Sequence, residues 1–465
     1  MHESFAGGHT DRSAPTTERY DAVIVGASLA GSTAALLLGR AGARVALVDR
    51  QPEGRAFKRI CSHYIQASAV GTLQRAGLLE PIMRAGAVRS RIRVWSRWGW
   101  IEGPARSAEP RGVKLRRELL DPLVRGLAAE EPGVELMLGQ SAEELLGGVG
   151  GAGGGGGAGA GGAGGGVGGV QVRDRAGNRR RLRASLVVGA DGRDSQIAKL
   201  SGVKTTTVPH GRFAYGGYFE GPPPAGAPDA SLWLLDPDMA GAFPTDSGLT
   251  FYACMPTRAR LAEFRGDPAA ALKAFVAAIP EAPPIAESRV VPLAQGGEVQ
   301  GKLDMTNVAH TPTAAGLALI GDAALAIDPL WGVGCGWAFQ SAEWLAQSVA
   351  PALAGEEALQ QGLSRYRRRH GRALRGHAAM IHGYASGRRL DRGERMIFAA
   401  AARDERVARV FEAFGTRSIG PARMLATAVP LALAAHARRA LTGRGGGGGP
   451  RPHSTGEARG AAIAR

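Results

Sequence analysis

Residues 21–49 read DAVIVGASLAGSTAALLLGRAGARVALVD, and the punctuation of this stretch decides the fold. Residues 21–25 form a short apolar run of the kind that makes a strand buried on both faces. A tight turn follows, carrying Gly26, Ser28, Ala30 and Gly31. Gly26 permits the turn, and Ser28, where a second glycine often stands, is small enough to let a ligand approach the backbone. An Ala- and Leu-rich helical stretch over 32–40 stops at Gly42, and a second strand over 44–48 ends on Asp49, eighteen residues past Gly31. Strand, turn, helix, strand and acid in this order make a βαβ dinucleotide unit. The helix start faces a pyrophosphate with free N–H groups and a positive dipole end, and Asp49 can bind ribose hydroxyls. The expected fold class is α/β and Rossmann-like.

Two further stretches narrow the dinucleotide. Residues 186–195, LVVGADGRDS, read as a strand ending in an Asp191-Gly192 turn that opens a helix. Residues 317–334, LALIGDAALAIDPLWGVG, read as a strand ending in Gly321-Asp322, followed by Pro329 and the Gly332-Val333-Gly334 turn. In this order and spacing the three motifs resemble the superfamily of FAD-dependent aromatic hydroxylases, halogenases and geranylgeranyl reductases, built on the glutathione-reductase FAD fold. The resemblance covers about residues 20–350. It implies non-covalent FAD, with Asp322 on the ribityl chain and Pro329 beside the isoalloxazine. Gly332, Val333 and Gly334 would bring N–H groups to its pyrimidine edge, at the start of a helix expected near Gly336. Arg117 matches the arginine that reaches the phosphate region, although a solvated helix-face charge is the alternative. Asp191 could equally serve only its own turn.

The rest of the chain is arranged around these motifs. The FAD-binding domain is expected over 19–87, 112–203 and 304–355. An antiparallel-sheet substrate domain is expected over 88–111 and 204–303, and a helical region over 356–442, with Pro421 and Pro430 as breakers. Residues 1–18 and the tail 443–465 read as disordered. The tract 147–169, almost all Gly, reads as an expanded hairpin loop between strands over 134–138 and 170–172. Trp95, Trp98, Trp100, Trp233 and Phe251 fall in the sheet segments, where they either line a pocket or fill a core.

Where the chain departs from the resemblance, it bears on the reaction. Leu325 stands where aromatic hydroxylases usually carry His, Gly336 where an Asn often follows the Gly-x-Gly turn, and Ser341-Ala342 where Asp-Ala is common. The halogenase Gly-Trp-x-Trp-x-Ile-Pro signature is absent after Asp191; Trp98-Gly99-Trp100 precedes Arg117 and lacks the Ile-Pro. Residues 58–66, KRICSHYIQ, resemble the Cys-containing segment of the reductases, which makes Cys61 and His63 candidate catalytic groups. A small buried hydrophobe and a structural histidine are the plainer readings.

Composition bounds the setting. The net charge of +16 over 465 residues comes with no nucleic-acid motif, and is read as a general arginine bias. Three cysteines, Cys61, Cys254 and Cys335, argue against a disulfide framework or a metal site and for a cytoplasmic home. No run is long and apolar enough for a membrane span, and the first twenty residues lack a signal core. The expected activity is that of an FAD-dependent monooxygenase, hydroxylating or epoxidising a small secondary-metabolite-like substrate, free or carrier-bound. NADPH or NADH would bind transiently as reductant, since no second Gly-rich βαβ unit is present. A reductase or desaturase acting by hydride transfer is the alternative; a halogenase and a non-catalytic redox sensor stand further off.

Overall fold

The computed structural model describes residues 16–59, 61–103, 111–147, 165–293, 297–329 and 332–442. The βαβ unit is its centre: β1 (Thr16–Val25), α1 (Leu29–Arg40) and β2 (Val45–Asp49). β1 is parallel to β2 on one side and to the strand Arg179–Gly189 on the other. Val134–Leu138 extends the parallel run beyond β2, and Leu317–Leu319 extends it beyond Arg179–Gly189. The strand ends that carry Val25, Gly189 and Leu319 are therefore adjacent, so all three sequence motifs emerge at one edge of one sheet. That placement fits the rule that ligands of open α/β sheets bind outside the carboxyl ends of the strands.

α1 is buried on nearly every side because Ala34, Ala35, Leu36 and Leu38 pack between the sheet and two other helices, Arg117–Ala129 and Val333–Leu353. Small residues on α1 let these helices come close. Behind the cofactor-binding half lies a second sheet, ordered Arg289–Val291, Ala214–Glu220, Thr250–Met255, Met239–Pro244, Ala230–Leu234, Ile92–Ser96 and Gly99–Ile101. It is antiparallel except where Ala230–Leu234 runs parallel to Ile92–Ser96. Strand periodicity of two divides its aromatics between faces. Trp95, Trp100 and Trp233 lie side by side and pack with the helix Pro268–Ala277. Phe251, Phe243 and Tyr218 pair laterally on the opposite face. Trp98 packs in a separate cluster with C-terminal helices.

Several boundaries differ from the expectation. β1 begins at Thr16, where Thr16, Thr17 and Glu18 pair with Arg180, Arg181 and Leu182, so residues 16–18 are strand. The helix expected near Gly336 starts at Val333, with Gly332 as a left-handed N-cap. The partner of Val167–Arg173 is a strand unforeseen in the sequence, Ser141–Gly147, and not Val134–Leu138. Ser141–Gly147 and Val167–Arg173 are antiparallel neighbours; residues 148–164 between them lie outside the described part, as do 1–15 and 443–465. Pro421 opens the last helix, Pro421–Thr442, but Pro430 lies inside it and does not end it. Pro122 and Pro351 are also housed inside helices. An interior proline costs about 3 kcal/mol, which packing of the surrounding helix can offset. Among the described residues no helix is long and apolar enough to cross a membrane.

Candidate functional site

The turn after β1 leaves no room for side chains. Gly26 has φ of 106°, and a Cβ there would lie 2.4 Å from the Ala190 carbonyl oxygen. A Cβ on Gly31 would lie 1.8 Å from the Gly26 oxygen. Asp49 ends β2 beside this turn and accepts from Ala27 N–H at 2.7 Å and Gln51 N–H at 2.8 Å, one on each oxygen. A carboxylate oxygen carries two lone pairs, so Asp49 keeps acceptor capacity toward a ligand. At the start of α1, Ser28 makes no side-chain cap, which leaves the first-turn N–H groups open to an anion. Ala30 meets the third motif directly: a Cβ on Gly321 would lie 2.9 Å from the Ala30 Cβ.

Arg117 is buried, with 3% of its surface exposed, which rules out the solvated reading. Its guanidinium is held by Asp121 at 2.7 and 2.9 Å, and Nη2 also donates to Ser28 Oγ at 2.9 Å. Two turns further along the same helix, Arg125 braces the glycine turn by donating to the carbonyls of Ala27, Gly54 and Ala56. The sequence reading missed Asp121 and Arg125. Their 117, 121, 125 spacing on a buried helix face was the signal that could have found them.

Asp322 lies against the Gly332–Gly334 turn, since a Cβ on Gly334 would sit 3.9 Å from Asp322 Oδ1. Lys58 Nζ donates to its other oxygen at 2.6 Å. Half of the Lys58 side chain is accessible although protein surrounds the pair, so the two line a cleft and not the outer surface. Burial pulls the Asp322 carboxyl upward, but the charge and hydrogen bond of Lys58, together with the charges of Arg193 and Arg117, hold it below the usual range. Pro329 accepts from Gly332 N–H at 2.8 Å. The preceding Asp328 is sealed in the interior with His210 at 2.6 Å, and Arg193 donates to the carbonyls of Thr306 and Ile327. These groups fix the loop from behind; none was singled out in the sequence. Val333 is buried in the first turn of its helix, whereas Gly334 is open to the cleft.

Asp191 is tied into its own turn. One carboxylate oxygen accepts from Ser195 Oγ at 2.6 Å, and the other from Gln196 and Ile197 N–H at 2.6 and 3.0 Å. Its side chain caps the helix Gln196–Ser201, while its backbone crowds Gly26. Asp191 therefore shapes the turn through its backbone.

The segment after β2 supplies the remaining titratable groups. His63 is buried and held at φ of 59°, a left-handed backbone that is strained for a side chain of this size. Its Nδ1 accepts from Arg117 N–H at 3.1 Å, and its Nε2 lies 2.7 Å from the Tyr218 hydroxyl. Its ring stacks on Tyr218 and meets the edge of Phe251. Burial pulls the imidazole down to about 4, so it is neutral near pH 7. Cys61 Sγ lies 3.5 Å from Cys335 Sγ, in the first turn of Val333–Leu353.

The donors fit FAD. A Cβ-free turn at a helix start, an acid at the end of β2, a cleft-lining carboxylate and an open second helix start are the features a dinucleotide with a polar ring edge requires.

Comparison with known proteins agrees with this geometry. Residues 19–380 match a protein family described as an FAD binding domain. The chain is 28% identical over 374 residues to a kynurenine 3-monooxygenase of Salinispora arenicola, covering 72% of this chain and 75% of that protein. Among solved structures it resembles Pseudomonas aeruginosa PqsL in complex with 2-aminobenzoylacetate, with a TM-score of 0.64 and 21% identity. That match covers 85% of this chain and 100% of the other. It also resembles a flavoprotein/dehydrogenase of Cytophaga hutchinsonii, with a TM-score of 0.70 and 15% identity, over 90% of this chain and 99% of that one.

Proposed function

The chain belongs to the FAD-binding-domain family and is an FAD-dependent oxidoreductase; from that premise we propose that it is a monooxygenase acting on a small, planar organic substrate. NADPH or NADH is the transient reductant and O2 the oxygen source. The observation that carries this reading is the junction between the two halves: the Tyr218, Phe243 and Phe251 face of the second sheet is turned toward His63 and Arg117. An apolar aromatic wall beside the cofactor cleft suits an aromatic or unsaturated substrate and keeps water out. The kynurenine 3-monooxygenase relative supports the same class.

When bound, FAD supplies the two-electron chemistry, drawing on the nicotinamide and on O2. The protein's own residues bind, orient and manage protons. Gly26, Ser28, Ala30, Gly31 and Asp49 would hold the adenosine and pyrophosphate portion. Arg117 adds positive charge near the phosphates, Asp322 with Lys58 would take the ribityl hydroxyls, and Gly332, Val333 and Gly334 the ring edge. Because Nδ1 of His63 accepts from a backbone amide, its proton sits on Nε2 and points at Tyr218. Tyr218, whose phenol burial pushes upward, stays protonated and has its own O–H free to donate to a substrate oxygen.

A reductase or desaturase is the second reading, favoured by the same His63–Tyr218 pair, which could supply a proton to a hydride-transfer reaction. The experiment is aerobic turnover of the yellow holoprotein with NADPH against a panel of aromatic metabolites, read by product mass. A product heavier by one oxygen, labelled from 18O2, supports oxygenation. A product changed only by hydrogens overturns it.

A further inference from the structure

Two of the three cysteines meet beside the cofactor cleft, although 274 residues separate them in the chain. Cys61 lies on a non-helical loop, and Cys335 in the first turn of the helix Val333–Leu353. Arg117 Nη1 stands 3.9 Å from one sulfur and 3.7 Å from the other. The neighbouring Ser62 faces Gly332, so the loop runs along the cleft.

We propose that Cys61 and Cys335 are a redox-active dithiol that hydrogen peroxide converts to a disulfide across the cleft. The proposal does not depend on the oxygen-transfer reading; it needs only peroxide as the named oxidant. Cys61 is the attacking group, because it is the partly exposed one of the pair, on the loop that runs along the cleft, whereas Cys335 is buried; the close Cys335 sulfur, with Arg117, holds its thiol well below the usual range against burial. Its thiolate attacks one peroxide oxygen, the O–O bond breaks, and Cys61 becomes a sulfenic acid while hydroxide leaves and is protonated to water. Cys335, having lost its proton, attacks the Cys61 sulfur; the S–S bond forms, the S–O bond breaks, and a second water leaves. Two electrons pass from the sulfurs to peroxide, and an added dithiol returns them. The loop position of Cys61 lets its side chain swing toward the fixed Cys335. Cys254 is the internal control: it is buried in the second sheet, where desolvation pushes its thiol up.

The test uses reduced, FAD-loaded protein treated with graded hydrogen peroxide, then denatured in an alkylating agent and read by intact mass and peptide mapping. Free thiols should fall from three to one, with a Cys61–Cys335 linked peptide, and dithiothreitol should restore all of them. Cys335→Ser should leave Cys61 trappable by dimedone as a sulfenic acid, and Cys61→Ser should leave Cys335 unreactive. The flavin spectrum of each variant reports that the fold is intact. Three thiols surviving a peroxide dose that oxidises a free thiolate would overturn the proposal. So would Cys61 passing to the sulfinic acid while Cys335 stays fully alkylated, or disulfides found only between chains.

Discussion

The Nε2 of His63 donates to the hydroxyl of Tyr218 over 2.7 Å, and this bond spans the two halves of the molecule. His63 belongs to the segment that follows β2, and Tyr218 to the second sheet. Arg117 N–H fixes the imidazole from the other side, so the histidine is a spacer of defined tautomer and orientation. The strained backbone at His63 is in keeping with a site whose surroundings override local preference.

Tyr218→Phe keeps the ring contact with Phe251 and removes only the hydroxyl. With a monooxygenase, product formation should fall about tenfold, the worth of one hydrogen bond of roughly 1.4 kcal/mol. NAD(P)H oxidation should continue and release hydrogen peroxide. With a reductase, loss of the proton donor should slow the hydride step by about 10²–10⁴-fold. Single-turnover kinetics with peroxide detection separate the two outcomes.

Asp322→Ala should weaken FAD binding by about one to two orders of magnitude, from the loss of charge-assisted bonds worth roughly 1.5–3 kcal/mol. Lys58, left without its carboxylate, adds to the loss. Cys61→Ala should retain FAD, because its sulfur meets Cys335, the His63 N–H and Arg117, and Arg117 is still held by Asp121 without it. Flavin content after gel filtration is the measurement; equal occupancy in the Asp322 variant would remove the residue from the site.

The βαβ unit and the Gly321-Asp322 strand were legible because their constraints are local: apolar runs, Cβ-free turns and an acid at a strand end. The placement of Arg117 beside the glycine turn was legible only through resemblance, since its burial depends on helix packing far along the chain. The pairings of Tyr218, Lys58 and Cys335 were illegible. Each meets its partner across 155, 264 and 274 residues, and no local pattern encodes such a pairing. Asp191 is the converse case: its Asp-Gly motif was open to a cofactor contact or to its own turn, and its carboxylate accepts from the helix that follows.

The Gly-rich tract should be removable, but within narrower limits than its composition suggests. Val167 N–H donates to Ala315 at 2.8 Å, and Val167 pairs with Gly147, so both ends of the tract belong to the sheet. Replacing only 149–164 by a short Asn-Gly turn should leave FAD content and melting temperature within error, because loop closure changes by only about 0.6 kcal/mol per doubling of length. Extending the deletion through Gly169 should lower the melting temperature, and calorimetry of the two variants compares them directly.

Acid should destabilise the fold between about pH 6.5 and 4, through histidines that are buried neutral. Burial pulls His63, His370 and His377 each down to about 4, from an ordinary value of 6.5; for His377 the nearby Arg417 adds to the effect. The unfolded chain binds these protons first as pH falls, so the stability they allow is complete above 6.5. It declines as pH drops toward the folded value, by about 1.4 kcal/mol per pH unit for each proton taken up on unfolding. Carboxylates held low by ion pairs, Asp322 and Glu343 among them, withdraw their contributions only at lower pH. Denaturant unfolding at a series of pH values should therefore show a slope already present at pH 6 to 5. His370→Gln should flatten that slope while leaving FAD bound. An unchanged slope in this variant would show that His370 is already charged in the folded protein.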